Sequence, residues 1–157
     1  MEKFKAGECD LVTTDGSGLV GNRAKEGALN DWAIFPASPI SKEPLGPVYR
    51  SNDSQWADIV NWTVYATFIA DEYGVGRANV DSFDYDANPE MGRLMGKNDG
   101  ELQTVMGLSA DAFYNVIKQV GNYDEIYSKN LNPVGLYREG SANAPWTEGG
   151  LIYAPPA

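Results

Sequence analysis

The sequence predicts an α/β fold, and three observations carry that prediction. A short run, Glu8-Cys-Asp-Leu-Val-Thr-Thr-Asp15, ends in hydroxyls and an acid and passes at once into Gly16-Ser-Gly18. That is the pattern of a buried strand whose C-terminal end feeds a tight turn into a helix, the place where open α/β sheets bind ligands. A second run, Asp31-Trp-Ala-Ile-Phe-Pro36, is almost continuously apolar, as expected of a strand covered on both faces. After residue 54, apolar side chains recur at spacings of three and four through about residue 73, which marks a long helix.

Taken in order, Glu2-Lys-Phe-Lys-Ala-Gly7 reads as a last helical turn with Gly7 past its end. Residues 8–15 read as a strand with Cys9, Leu11 and Val12 apolar, residues 17–26 as a short helix carrying Leu19, Val20 and Ala24, and residues 31–36 as a second strand. Strand, helix and strand make a βαβ-like unit. Pro36, Pro39, Pro44 and Pro47 exclude a regular helix over 36–47 and predict an extended, stiffened connector. Gly46-Pro-Val-Tyr-Arg50 reads as a short strand, after which Asn52, Asp53 or Ser54 caps the long helix. Trp56, Ile59, Val60, Thr63, Val64, Thr67 and Phe68 form its stripe, and Trp62, Tyr65, Ala66, Ile69 and Ala70 widen it. A helix so broadly apolar is either largely buried or covers a surface that needs a partner. Gly74 and Gly76 end it.

Residues 77–105 read as a polar stretch with acids at Asp81, Asp84, Asp86 and Glu90. The spacing lacks the glycine and terminal glutamate of a calcium loop, so a solvated acidic loop is expected. Pro89 starts a short helix through Met95, and another runs from Ser109 or Ala110 to Val120 with Phe113, Val116, Ile117 and Val120 on one face. Gly121-Asn122 breaks the chain, and Asn122 caps a last helix to about Leu131. The tail from 132 to 157 is irregular, with Leu136, Tyr137, Trp146, Leu151, Ile152 and Tyr153 as its expected anchors.

Composition narrows the function. The 157 residues suit one ordinary domain, with 43% hydrophobic and 22% charged residues. A net charge of −10 argues against nucleic acid and anionic membrane surfaces as partners. No run approaches the roughly 18 apolar residues of a membrane span, so direct membrane insertion is not expected. One cysteine and no histidine exclude Cys/His zinc sites and His-dependent nucleophilic catalysis. Carboxylates are many, but no pair has a defined glycosidase spacing, and Gly16-x-Gly18 lacks the rest of a dinucleotide fingerprint. No enzyme activity, cofactor or metal is therefore expected. Cys9 reads as a small buried hydrophobe on its strand.

Asp15 is the leading candidate site residue, with Thr13, Thr14 and Ser17 supplying hydroxyls close by in sequence. A carboxylate beyond a strand end suits a cationic group such as the ammonium of an amino acid. The alternative is that Asp15 simply caps the following helix.

Five further segments carry a resemblance: Ile40-Ser-Lys-Glu-Pro-Leu-Gly-Pro47, Asp53-Ser-Gln-Trp-Ala-Asp-Ile-Val-Asn-Trp62, Val116-Ile-Lys-Gln-Val-Gly-Asn-Tyr123, Glu125-Ile-Tyr127 and Gly149-Gly-Leu-Ile-Tyr-Ala-Pro-Pro156. In that order they resemble the C-terminal part of the general L-amino-acid-binding proteins of bacterial ABC importers, a family of type II periplasmic solute-binding proteins. The resemblance implies a partial type II fold: the end of lobe 2 at residues 1–36, a proline-rich inter-lobe connector at 37–47, part of lobe 1 at 48–107, and a helical and irregular C-terminal extension at 108–157. It implies that Asp15 pairs with the α-ammonium of an L-amino acid, that the intact protein works with ABC-transporter membrane subunits, and that it is periplasmic. Family members are longer and carry Arg and Thr motifs for the ligand α-carboxylate that have no counterpart here. The charged start, with no apolar signal-peptide core, agrees with a missing N-terminal part. Relatives with a cysteine at this strand would pair it with one in the absent region, which leaves Cys9 free or available between molecules. The competing expectation is a half-protein that binds no ligand and oligomerises or needs a complementary fragment.

Overall fold

The structure is a computed structural model, and it describes residues 1–26 and 31–157. Seven helices are defined among these residues: α1 Glu2–Lys5, α2 Gly16–Lys25, α3 Ser54–Glu72, α4 Pro89–Leu94, α5 Leu102–Val105, α6 Ala112–Val120 and α7 Tyr123–Leu131. Short 3-10 turns at Asn132–Val134 and Trp146–Glu148 punctuate the tail.

The long helix forms for the reasons its sequence supplies. At its start Asp53 accepts a hydrogen bond from the Trp56 backbone N–H at 3.0 Å, satisfying an amide that has no helical partner. At its end Gly74 takes φ 64, and the chain reverses through Val75 N–H to Ala70 C=O at 2.7 Å and Gly74 N–H to Asp71 C=O at 2.9 Å. These are the paired reversed bonds of a glycine-terminated helix, with Val75 and Ala70 both delivered to the core. The C-terminal half of α3 is buried through Ala66, Ile69 and Ala70, whereas Trp56 at its start is exposed.

The core gathers on that half-helix. Val75, Val80, Met91, Leu94, Met95, Met106, Phe113 and Ile117 join Ala66, Ile69 and Ala70 in one cluster. The stretch expected to be merely polar, 77–105, therefore supplies a large share of the apolar interior. Gln103 makes this possible. Its buried amide donates to the C=O groups of Leu94 at 2.6 Å and Arg93 at 3.1 Å, so α5 satisfies the carbonyl end of α4. On α6, Phe113 and Ile117 are buried as expected, but Val120 is exposed. Asn122 and Glu125 form a reciprocal capping box at the start of α7. Phe68 of α3 meets Tyr123 of α7 edge to face at 4.5 Å.

The expected strands are the main correction. Residues 8–15, 31–36 and 46–50 run outside helices, and no strand is assigned among the described residues. A strand exists only through inter-strand hydrogen bonds, and among the described residues none pairs these segments with each other or with another extended segment. The β part of the α/β expectation is thus not realised, while the helices are. An isolated bridge between Pro145 and Ile152 is the nearest approach to sheet pairing. Cys9, expected to be buried on a strand, is instead exposed and free, because its segment has no sheet neighbour.

The tail is held differently from expectation. Tyr137, Trp146, Leu151 and Tyr153 are exposed. The anchor is Arg138, 6% exposed, whose Nη1 lies 2.6 Å from Asp71 Oδ2 of α3 and 3.3 Å from Asp124 Oδ1 of α7. Its Nε donates to the Asn143 C=O at 2.7 Å, and its guanidinium lies over the Tyr123 ring. Burial raises the Asp71 carboxyl above its ordinary value, and Arg138 opposes that shift.

Candidate ligand-binding site

Asp15 occupies the N-cap position of α2, with φ −53 and ψ 144, and its backbone C=O accepts from Leu19 N–H at 2.9 Å. Its carboxylate accepts no hydrogen bond from the helix amides. The capping alternative is therefore realised by the backbone alone, and the side chain is left over. The position still favours an anion nearby, because the helix N-terminus carries partial positive charge.

The carboxylate has a neighbour that the sequence pattern does not single out. Glu43, from the proline-rich segment, is raised above its ordinary value, first by its hydrogen-bonding contact with Asp15 and then by repulsion from the Asp15 charge. A turn from Leu45 N–H to Glu43 C=O at 2.9 Å fixes the backbone there. No lysine or arginine pairs with either acid among the described ion pairs. Two exposed carboxylates facing each other repel, and a cation between them relieves the repulsion. The signal in the sequence is the acid of Ser41-Lys-Glu-Pro44, brought to Asp15 across a separation that periodicity cannot reveal.

The hydroxyls are less concerted. Thr14 leans toward the first turn of α2, where a Cβ built on Gly18 would sit 3.4 Å from its methyl. Thr13 and Ser17 are exposed, with no side-chain hydrogen bond among the described residues. Among the described residues no group of three or more His, Cys, Asp or Glu side chains is arranged for a metal. Two acids of the triplet at 81–86 are engaged otherwise: Asp81 pairs with Lys118 at 2.9 Å and accepts from the Tyr114 hydroxyl, and Asp84 accepts from Ala87 N–H at 3.0 Å. A groove of about 530 Å³ lies elsewhere, between Glu72 and Tyr73, Glu90 of α4 and the tail residues Trp146 and Tyr153.

Comparison with known proteins finds relatives along nearly the whole chain. The chain is 45% identical to the general L-amino acid-binding periplasmic protein AapJ of Rhizobium johnstonii, over 98% of this chain and 45% of that protein. It is 45% identical to the glutamate/glutamine/aspartate/asparagine-binding protein BztA of Rhodobacter capsulatus, over 99% of this chain and 46% of that protein. Over nearly its whole length this chain is homologous to part of the amino-acid-binding periplasmic proteins of ABC transporters. It spans about half the length of the curated relatives it matches. A solved periplasmic binding protein from Brucella ovis with glutathione bound superposes with a TM-score of 0.89 at 40% identity, covering 99% of this chain and 49% of that one. No protein-family profile matches. These relatives are solute-binding proteins, not enzymes.

Proposed function

We propose that this chain supplies one wall of the ligand site in an amino-acid-binding component of an ABC import system. In that site Asp15 pairs with the ligand α-ammonium. The observation that carries the reading is a carboxylate at the N-cap of α2 that does not cap it and faces a second carboxylate, Glu43. A zwitterionic amino acid brings the cation that this pair lacks. Thr14, Thr13 and Ser17 are the hydroxyls nearest in sequence. The relatives' printed ligands, L-amino acids in general for AapJ and acidic amino acids and their amides for BztA, point to the same chemical class. On this reading the chain comprises the end of lobe 2 at residues 1–36, the connector at 37–47, part of lobe 1 at 48–107 and a helical and irregular extension at 108–157. Its setting is the periplasm, and its partners are ABC-transporter membrane subunits.

The test is a chimera in which this chain replaces the matching part of AapJ, titrated calorimetrically with a panel of L-amino acids. Asp15→Asn is expected to weaken binding at least tenfold, since removing one partner of a desolvated charge pair costs about 2–5 kcal/mol. Unchanged affinity in a chimera that otherwise binds refutes the pairing. A second reading, a half-protein that binds nothing and oligomerises, is favoured by the exposed apolar residues between 35 and 48. An oligomer on gel filtration, with no heat from any amino acid in the chimera, selects it.

A further inference from the structure

The groove of about 530 Å³ between the end of α3, α4 and the tail takes no part in the site above. Its volume is that of a small-molecule pocket, about 300–1,000 Å³. Three aromatic side chains line it, Tyr73, Trp146 and Tyr153, of which Trp146 is 59% and Tyr153 69% exposed. A large aromatic held open to water forgoes burial worth about 25 cal/mol per Å², so its exposure is informative where the backbone behind it is fixed. At Trp146 the backbone is fixed. Its N–H donates to the Ile152 C=O at 2.9 Å, and Leu151 N–H donates to the Ala142 C=O at 2.9 Å. The same loop hangs on the buried Arg138, whose Nε donates to the Asn143 C=O. The ring is oriented as well, because Trp146 Nε1 donates to Glu72 Oε1 at 3.2 Å. At Glu90 the Tyr73 hydroxyl donates to Oε2 at 2.7 Å and the Ala157 N–H to Oε1 at 3.1 Å. Hydrogen bonding to Glu90 raises the Tyr73 hydroxyl above its ordinary value, which keeps it a donor at neutral pH.

Neither Glu72 nor Glu90 belongs to an ion pair among the described residues. Arg93, whose charge reaches Tyr73, lines a neighbouring groove with Glu101 instead. A carboxylate has about four lone-pair positions, so both acids keep room for further donors beside the bonds they already accept. Aromatic faces attract cations through the ring quadrupole, and Ile69 and Pro155 add apolar wall. A molecule with positive charge, N–H donors and an apolar stem answers all three features, whereas a neutral or anionic one answers only the last. We propose that this groove is a binding site for a small organic cation, an alkylammonium or alkylguanidinium. Trp146 and Tyr153 lie against its stem and head, and Glu72 and Glu90 accept from its N–H groups. A concave space of this volume favours a free small molecule over the broad face that a basic protein partner needs. The site goes beyond the amino-acid reading and is independent of it, because it uses neither Asp15 nor Glu43.

NMR of the four tryptophan indole N–H groups of the 157-residue chain tests it. The Trp146 signal is assigned by its absence from Trp146→Phe. Putrescine and agmatine are the cationic probes, and butanediol with terminal hydroxyls is the uncharged counterpart of putrescine. Both cations are expected to shift the Trp146 signal saturably and to leave those of Trp32, Trp56 and Trp62 in place. The diol is expected to bind at least tenfold more weakly. Glu90→Gln and Tyr153→Leu are each expected to weaken both cations about threefold or more. Tyr153 is exposed, so its loss reads the site without unfolding the chain. Asp99→Asn removes the same charge from the surface outside the groove and is expected to change neither affinity. An equal loss in Asp99→Asn, equal binding of the diol, or movement of all four indole signals together means that the probes follow net charge or apolar stem alone, which overturns the proposal. Saturable binding that leaves Trp146 unshifted places the cation elsewhere and overturns it too. So does unchanged affinity in both Glu90→Gln and Tyr153→Leu, or no binding of either cation at tens of millimolar.

Discussion

Arg138→Met is the most demanding test of how this chain holds its tail. The methionine keeps an unbranched apolar stem like that of the arginine and deletes its charge. Four contacts go: the ion pairs to Asp71 at 2.6 Å and Asp124 at 3.3 Å, the Nε hydrogen bond to Asn143 C=O at 2.7 Å, and the stacking over Tyr123. The two carboxylates respond differently. Asp124 is half-exposed and regains water at little cost, whereas the Asp71 side chain is 13% exposed and is left as a buried charge. Breaking a buried pair by removing one partner costs about 3–5 kcal/mol, a large fraction of the roughly 5–15 kcal/mol that keeps a domain folded. For a domain of this size that lowers the melting temperature by about 10 °C. The pH dependence gives a second signature. Burial already raises the Asp71 carboxyl, and loss of Arg138 raises it further. A carboxyl raised in the folded state contributes stability below its unfolded pKa and loses it as pH rises through the folded value. The variant is therefore closest to wild type in mild acid and falls behind toward neutrality. Urea unfolding followed by tryptophan fluorescence at about pH 5 and about pH 7.5 measures both effects. Adding Asp71→Asn to Arg138→Met is expected to restore most of the loss. A loss below about 1 kcal/mol, or a loss that is the same with and without the Asp71→Asn substitution, refutes the argument that a stranded buried charge dominates.

Other consequences are smaller or more local. Gly96→Ala drives a methyl into the Ala110 C=O oxygen, well inside van der Waals contact, at a residue with φ 65. Backbone cannot yield that space cheaply, so a loss of more than about 3 kcal/mol is expected in the same unfolding assay, and a near-neutral result refutes the close approach. Asn122→Ala removes the α7 cap and the amide bond to Val75 C=O at 3.0 Å. A loss of about 1–2 kcal/mol is expected, with a lower value meaning that the cap is idle. Asp15→Asn is expected to leave stability within about 0.5 kcal/mol of wild type, because the side chain caps nothing. The same substitution is expected to bring the Glu43 carboxyl back toward its ordinary value by NMR titration, since Asp15 is the main cause of its rise. A Glu43 titration indifferent to residue 15 refutes the contact.

What the sequence makes legible is local. The α3 boundaries follow from Asp53 and Gly74, which solve the two problems every helix end has, spare amides and spare carbonyls. Asn122 and Glu125 announce α7 in the same way. Long-range polar closure is not legible. Gln103 reads as a surface amide until α4 is seen to end against it, and Arg138 reads as an ordinary cation until Asp71, far away in sequence, is folded beside it. Glu43 is hidden for the same reason. The strand expectation fails for another cause: residues 31–35 do carry a strand's alternation and composition, but pairing is a property of two segments. Propensity written in one of them is not enough.

The distribution of burial also separates recognition from stability. Val20 is the one buried apolar residue contributed by the described part of the first fifty, whereas the core cluster begins at Ala66. Asp15 and Glu43 sit in the part without a core, so occupying their carboxylates changes nothing that Phe113 or Met91 feels. A ligand stabilises a protein only through the states it distinguishes, by about 2.7 kcal/mol at a hundredfold excess over Kd. If this chain holds one wall of the site, millimolar L-glutamate or L-glutamine leaves its melting temperature unmoved. The same ligand raises the melting temperature of the chimera completed with the rest of AapJ by about 5–10 °C. A shift of that size in the 157-residue chain alone means that the site is already whole here and coupled to the α3 core, which overturns the one-wall reading. No shift in a chimera that binds glutamate by calorimetry means instead that the core unfolds independently of the ligand even when the site is complete.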